Sequence, residues 1–248
     1  MAGPLAVARG LLRILLALLM AVLGVPAAIL VLIVSHGSPQ LVARYGKRAV
    51  HVWSRIVVRL LGIRIRVVGT PPPSGSFVVS NHVSHFDILA VTATFPTSLL
   101  AKKEILWWPL IGQLAWMIGT VFVDRKDRSK TKGVGHRMRH YLEGGATVTL
   151  FAEGTCGDGQ AILPFKRSLF AVPEALEMPT HPMALRYPDP AAAWVDGPMP
   201  VHMFRLLCRP SLEVVLAFGD PIPPGLPRRE LAFATQAKVE ELFDSSRP

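Results

Sequence analysis

Apolar residues are spaced in three ways along this chain. From Ile14 to Val34, "ILLALLMAVLGVPAAILVLIV", 21 residues run without a charge, long enough for a helix to cross a hydrocarbon core of roughly 30 Å. From Pro39 to Leu61 apolar positions such as Leu41, Tyr45, Val52, Ile56 and Leu60 recur at helical spacing, with Arg44, Lys47, Arg48 and Arg55 between them. That segment reads as a basic amphipathic helix, lying on a bilayer or packed into the next domain. Beyond Gly62 the alternation of "IRIRVVG" and the short apolar runs at 77–80, 120–123, 148–151, 181–187 and 212–218 predict strands. Helical patterns lie between them, at 86–95, 105–117, 129–143, 166–177 and 228–243. Alternating strands and helices predict an α/β domain over 63–248, a mixed sheet flanked by helices. Residues 1–62 precede it as a membrane anchor and amphipathic helix. The stretch 188–210, with five prolines, predicts an irregular excursion.

Arg9 and Arg13 stand before the apolar run. A basic flank sets a cytoplasmic N-terminus if the segment spans, and Gly24 and Pro26 leave a re-entrant hairpin open. A cleaved signal sequence is the competing reading. The run is longer than a usual signal core, and "VSHGS" offers no small-x-small cleavage site, so a retained anchor is expected.

Lys and Arg total 27 against 17 acidic residues, a net charge of +10. Such a charge suits nucleic acid or an anionic membrane surface. No nucleic-acid-binding pattern accompanies it, and beside an apolar anchor the bilayer is the simpler partner. The cysteines, Cys156 and Cys208, are too far apart to form a disulfide framework or a zinc spacing.

Candidate chemistry begins at "SNHVSHFD", 80–87, where an apolar strand runs into two histidines and an aspartate. Strand ends in α/β sheets are where ligands bind. His82 and Asp87 suit a base whose tautomer is fixed by a carboxylate, with the attacking hydroxyl brought by a substrate. His82, His85 and Asp87 as metal ligands, or as an ordinary polar turn, are the alternatives. In "HRMRH", 136–140, two more histidines lie one helical turn apart, on what reads as a solvated basic face. A second strand end, "FAEGTCGDGQAILPFKRSLF" (151–170), places Gly154 where backbone amides can approach a developing oxyanion. A third, "GTVFVDRKDR" (119–128), ends in charge at Asp124 and Arg125.

Taken in order, "NHVSHFD", "GTVFVDR", "FAEGT" and "MPTHPMAL" resemble the four motifs of the membrane-associated glycerolipid acyltransferases, of the 1-acyl-glycerol-3-phosphate acyltransferase type. The resemblance spans about 80–185. It implies that His82 deprotonates a lysolipid hydroxyl, which attacks the thioester of acyl-CoA or of an acyl-carrier protein, while Asp87 orients His82. It implies that Glu153, Gly154 and Thr155 shape the acceptor site and that Arg125 holds an anionic headgroup, with Lys102 and Lys166 as further cations. Neither metal nor cofactor is implied.

This chain departs from the pattern at two positions. Ala152 stands where the family has proline, and Cys156 stands where an arginine is expected to help hold the acceptor phosphate. An uncharged side chain there loses a bidentate contact. The resulting "EGT-x-x-DG" turn is similar to that of the lyso-ornithine lipid branch. The expected function is therefore phosphatidic acid synthesis from lysophosphatidic acid, with lyso-ornithine lipid acylation as the alternative. A non-catalytic basic membrane-binding protein and a metal-dependent lipid hydrolase are the rivals from other classes. The expected location is the inner membrane, with the catalytic domain on its cytoplasmic side. The tryptophan-rich stretch 104–119 is expected to form an interfacial entry surface.

Overall fold

The computed structural model describes residues 3–107, 112, 115, 120–123 and 131–246. Two long helices open the chain, α1 (Pro4–Val34) and α2 (Pro39–Leu60). Each has a proline in its first turn, where the missing N–H has no intrahelical role. At 31 residues α1 is long and apolar enough to cross a membrane. Leu11, Leu15, Leu18 and Leu30 stand exposed along it.

The start of α1 is not free. Arg13, buried, donates to the carbonyls of Leu207 (2.9 Å), Arg209 (2.6 Å) and Pro210 (2.9 Å), and Arg9 donates to that of Cys208 at 3.1 Å. The arginines that read as a topogenic flank thus serve the carbonyl end of helix α6 (Met199–Leu207), where a helix dipole favours cations. Gly62, at φ +72°, leaves room for the Arg13 guanidinium; a Cβ there would lie 2.0 Å from Nη2.

Helix α2 buries part of its apolar surface, near its C-terminal end. Val57, Val58 and Leu61 enter a core with Phe86, Val91 and Leu216. Trp53 Nε1 donates to Met20 O at 2.9 Å, and His51 Nδ1 to Thr92 O at 2.8 Å. Val52 and Ile56 on the same helix stand exposed, so α2 packs part of its apolar surface into the domain and leaves part of it open.

Seven described strands form one mixed sheet: β1 (Ile63–Val68), β2 (Phe77–Ser80), β3 (Ser98–Lys102), β4 (Val121–Val123), β5 (Val148–Phe151), β6 (Thr180–Arg186) and β7 (Leu212–Phe218). Their order is β1-β7-β6-β2-β5-β3-β4, parallel throughout except between β6 and β7. Helices α3 (Asp87–Thr94), α4 (Thr131–Glu143), the short α5 (Ala171–Ala175) and α7 (Arg228–Ser245) complete the layers. One buried cluster joins α2 and α3 to the sheet, and another joins α4 and α7.

Three expectations need correction. Strand β3 carries no period that marks it. Instead of one helix over 166–177, a 3-10 turn at Arg167–Phe170 runs into α5. The excursion at 188–210 contains α6, because Pro198 and Pro200 fall at its start, where proline costs no hydrogen bond. The helix expected at 105–117 lies largely outside the described residues.

Candidate active site

Parallel pairing brings distant segments to one edge of the sheet. Ser80 at the end of β2 is level with Phe151 of β5 and Met183 of β6. The residues after each strand therefore emerge side by side, at the carboxyl ends where α/β sheets bind ligands. Asn81 locks two of these ends together: Leu185 N donates to its Oδ1 at 2.7 Å, and its Nδ2 donates to Leu185 O at 2.9 Å.

The spacing from His82 to Asp87 is the length of the turn that starts α3. Asp87 is the first residue of that helix, and its Oδ2 accepts the amides of Val83 (2.7 Å) and Ser84 (3.0 Å) together with His82 Nδ1 at 2.7 Å. Its Oδ1 accepts the hydroxyl of Tyr187 at 2.7 Å. Four donors thus converge on one fully buried carboxylate. Because the carboxylate accepts at Nδ1, the His82 proton sits there and Nε2 is the basic nitrogen. Among the described residues Nε2 has no hydrogen-bond partner. The imidazole stacks on Phe151, with ring centroids 4.4 Å apart and planes 8° from parallel, so its direction is held on two sides.

Glu153 is buried. Its Oε2 accepts the His82 N–H at 3.2 Å, and its Oε1 the Leu163 N–H at 3.0 Å. Burial pushes its carboxyl up to about 7, against the pull of those two bonds and with the help of nearby Asp87 and Asp158. Gly154 has φ +70°, and a Cβ there would lie 2.5 Å from Lys166 Nζ, so the turn is shaped around that ammonium. The Gly154 amide is spent on Phe151 O (3.2 Å) and that of Gly157 on His82 O (2.7 Å). Of the amides in this turn, those of Gly154 and Gly157 are thus already engaged. Thr155 is exposed and Cys156 half-buried, and Asp158 Oδ1 closes the turn by accepting Gln160 N at 2.9 Å.

Lys102 ends β3, next to β5 in the sheet and at the same edge. Arg125 lies outside the described residues. His85 packs against Trp194, ring centroids 4.4 Å apart, and Trp194 N donates to Val83 O at 3.0 Å. No three His, Cys, Asp or Glu side chains converge as a metal cluster among the described residues.

The acyltransferase family model matches residues 64–186, the span that holds Asn81, His82, Asp87 and the Glu153 turn. The lyso-ornithine lipid O-acyltransferase of Brucella abortus (strain 2308) is 33% identical over 222 residues, covering 81% of this chain and 83% of that protein. The chain belongs to the acyltransferase family. The 1-acyl-sn-glycerol-3-phosphate acyltransferase of Neisseria meningitidis serogroup B is 32% identical over 202 residues, 78% of each chain. The crystal structure of the 1-acyl-sn-glycerophosphate (LPA) acyltransferase PlsC from Thermotoga maritima superposes with a TM-score of 0.71 at 16% identity, over 98% of this chain and 97% of that one. That likeness extends the shared fold to the N-terminal helices.

Three side chains that shape this acyltransferase's site escaped the sequence reading. Tyr187 follows an apolar strand by one residue, and only the fold brings it to Asp87, 100 positions away. Asn81 and Phe151 lie inside motifs, but their roles as clamp and stacking plate depend on which strands are neighbours. A polar aromatic at a strand end, just before Pro188, was the only local signal.

Proposed function

We propose that this acyltransferase moves a fatty acyl group from an acyl thioester to the free hydroxyl of a membrane lysolipid, with His82 as general base. The observation that carries the reading is one hydrogen bond: Nδ1 held by Asp87 at 2.7 Å, with Nε2 left as the basic nitrogen. Nε2 takes the hydroxyl proton as the oxygen attacks the thioester carbonyl. When the tetrahedral intermediate collapses, the C–S bond breaks and the thiolate takes the proton from the imidazolium. Asp87 stabilises the imidazolium between these two transfers. The hydroxyl attacks directly, so the scheme uses no acyl-enzyme, metal or cofactor. Acyl-CoA or an acyl-carrier protein is the donor. Gly154 and Thr155 shape the acceptor side, and Arg125, Lys102 and Lys166 supply cations to its headgroup. Glu153 acts on this site by holding the His82 backbone. The apolar face of α1 supports a seat in the membrane, which we place at the inner membrane with the domain on its cytoplasmic side.

Relatives carry both acceptor names, lysophosphatidic acid and lyso-ornithine lipid. The turn at Cys156 favours the second, because a phosphate loses the bidentate arginine that the first reading expects there. Purified full-length enzyme in nanodiscs is offered both lysolipids with one labelled donor, as acyl-CoA and as acyl-carrier protein in parallel. Acylation of the lyso-ornithine lipid alone supports the second reading, and acylation of lysophosphatidic acid alone reverses it. Cys156→Arg should then raise phosphate-acceptor turnover; unchanged selectivity removes this position from specificity. Acylation of neither lipid by an enzyme with its His82–Asp87 pair intact refutes the lysolipid reading.

A further inference from the structure

We infer that Tyr187 is a positioning residue of the acyl transfer: its hydroxyl, the donor to Asp87 Oδ1, holds the carboxylate in the orientation that presents Oδ2 to His82. This rests on His82 being the base.

The two oxygens of Asp87 are held differently. Oδ2 is tied by its own turn, through Val83 N, Ser84 N and His82 Nδ1, all within five residues in sequence. Oδ1 is tied at 2.7 Å to Tyr187, which follows the neighbouring strand β6. Asp87 and Phe86 are buried together, and Ala90 and Val91 close the same core, so water offers Oδ1 no substitute donor. A buried carboxylate oxygen that loses its donor raises the free energy of the charged form. The tyrosine is itself braced. Asn81 grips both backbone groups of Leu185, two residues before Tyr187, and so fixes the end of β6 against the end of β2. Burial and the neighbouring Asp87 hold the phenol well above its ordinary pKa, so it stays a donor across the working range.

The consequence concerns proton transfer, not substrate binding. A carboxylate that loses a donor becomes more basic, and a more basic Asp87 holds the His82 Nδ1 proton more firmly and raises the pH at which Nε2 becomes free. Tyr187→Phe keeps the ring that fills the core and removes only the donor. We expect kcat to fall by about tenfold or more, with KM for donor and acceptor unchanged, and the acid limb of the kcat/KM profile to move up by roughly half a pH unit or more. A second arm compares Asp87→Asn with the double variant Asp87→Asn/Tyr187→Phe. If Tyr187 acts through Asp87, the double variant is no slower than Asp87→Asn alone.

Wild-type kcat and profile in Tyr187→Phe overturn the inference. So does a loss that tracks the folded fraction with an unmoved acid limb, which is a packing effect, and so does a double variant in which the two losses multiply. His82→Ala separates the levels. If that variant keeps its activity, the base reading falls, and this inference falls with it. If it is inactive while Tyr187→Phe behaves as wild type, only the role of the tyrosine is lost.

Discussion

Glu153 ties the backbone of His82 to that of Leu163, accepting one N–H on each carboxylate oxygen, at 3.2 and 3.0 Å. Its charge therefore serves the loop that carries His82, and burial makes that charge costly. With its folded pKa at about 7, above the ordinary value of 4.5, the folded state keeps a proton that the unfolded chain has released. Stability from this group is thus fully present below about 4.5 and is lost as pH rises to about 7. Glu153→Gln removes that titration. Unfolding of wild type and variant, followed across pH 4–8 in detergent, should differ by a term that falls by up to about 3 kcal/mol over that window. A constant difference contradicts the assignment.

His82→Ala should cut kcat/KM by about a thousandfold, within the range of general-base contributions. Asp87→Asn should cost nearly as much, since an amide can present its NH₂ to Nδ1 and turn the tautomer. Circular dichroism should find His82→Ala folded. Full activity in that variant rejects His82 as the base.

Gly154→Ala places a Cβ at φ +70° and against Lys166. Backbone strain and the displaced ammonium should cost roughly 1–3 kcal/mol. Activity should fall more than Lys166→Met alone lowers it, because the turn itself is distorted. Equal losses in the two variants would mean that the cation is all that Gly154 protects.

Arg13→Met leaves the carbonyls of Leu207, Arg209 and Pro210 without their buried donor. We expect roughly 2–4 kcal/mol of destabilisation and faster proteolysis within 187–210. Trp194, from the same excursion, bonds to the loop after His82, so acyl transfer should weaken as well. Unchanged cleavage there would show that α1 does not brace the excursion.

The reaction was legible in the order of short motifs, because parallel strands put their successors at one edge whatever lies between. His82 and Asp87 could be paired from sequence for a local reason: five residues is the reach of a turn that opens a helix. The apolar run at 14–34 was equally plain from its length, and the stripe of α2 from its helical spacing. Period alone did not say whether that stripe met lipid or protein.

The tertiary structure decided everything that depends on neighbours in the sheet. Tyr187 and Asp87, Asn81 and Leu185, Phe151 and His82 meet because β2 lies between β5 and β6, and no local pattern encodes that order. The fold likewise gave Arg13 a helix end as its partner, and gave Glu153 the backbone amides of His82 and Leu163. A side chain's type states which bonds it can make. Which of them it makes in a buried site is set by the groups that packing leaves within about 3 Å.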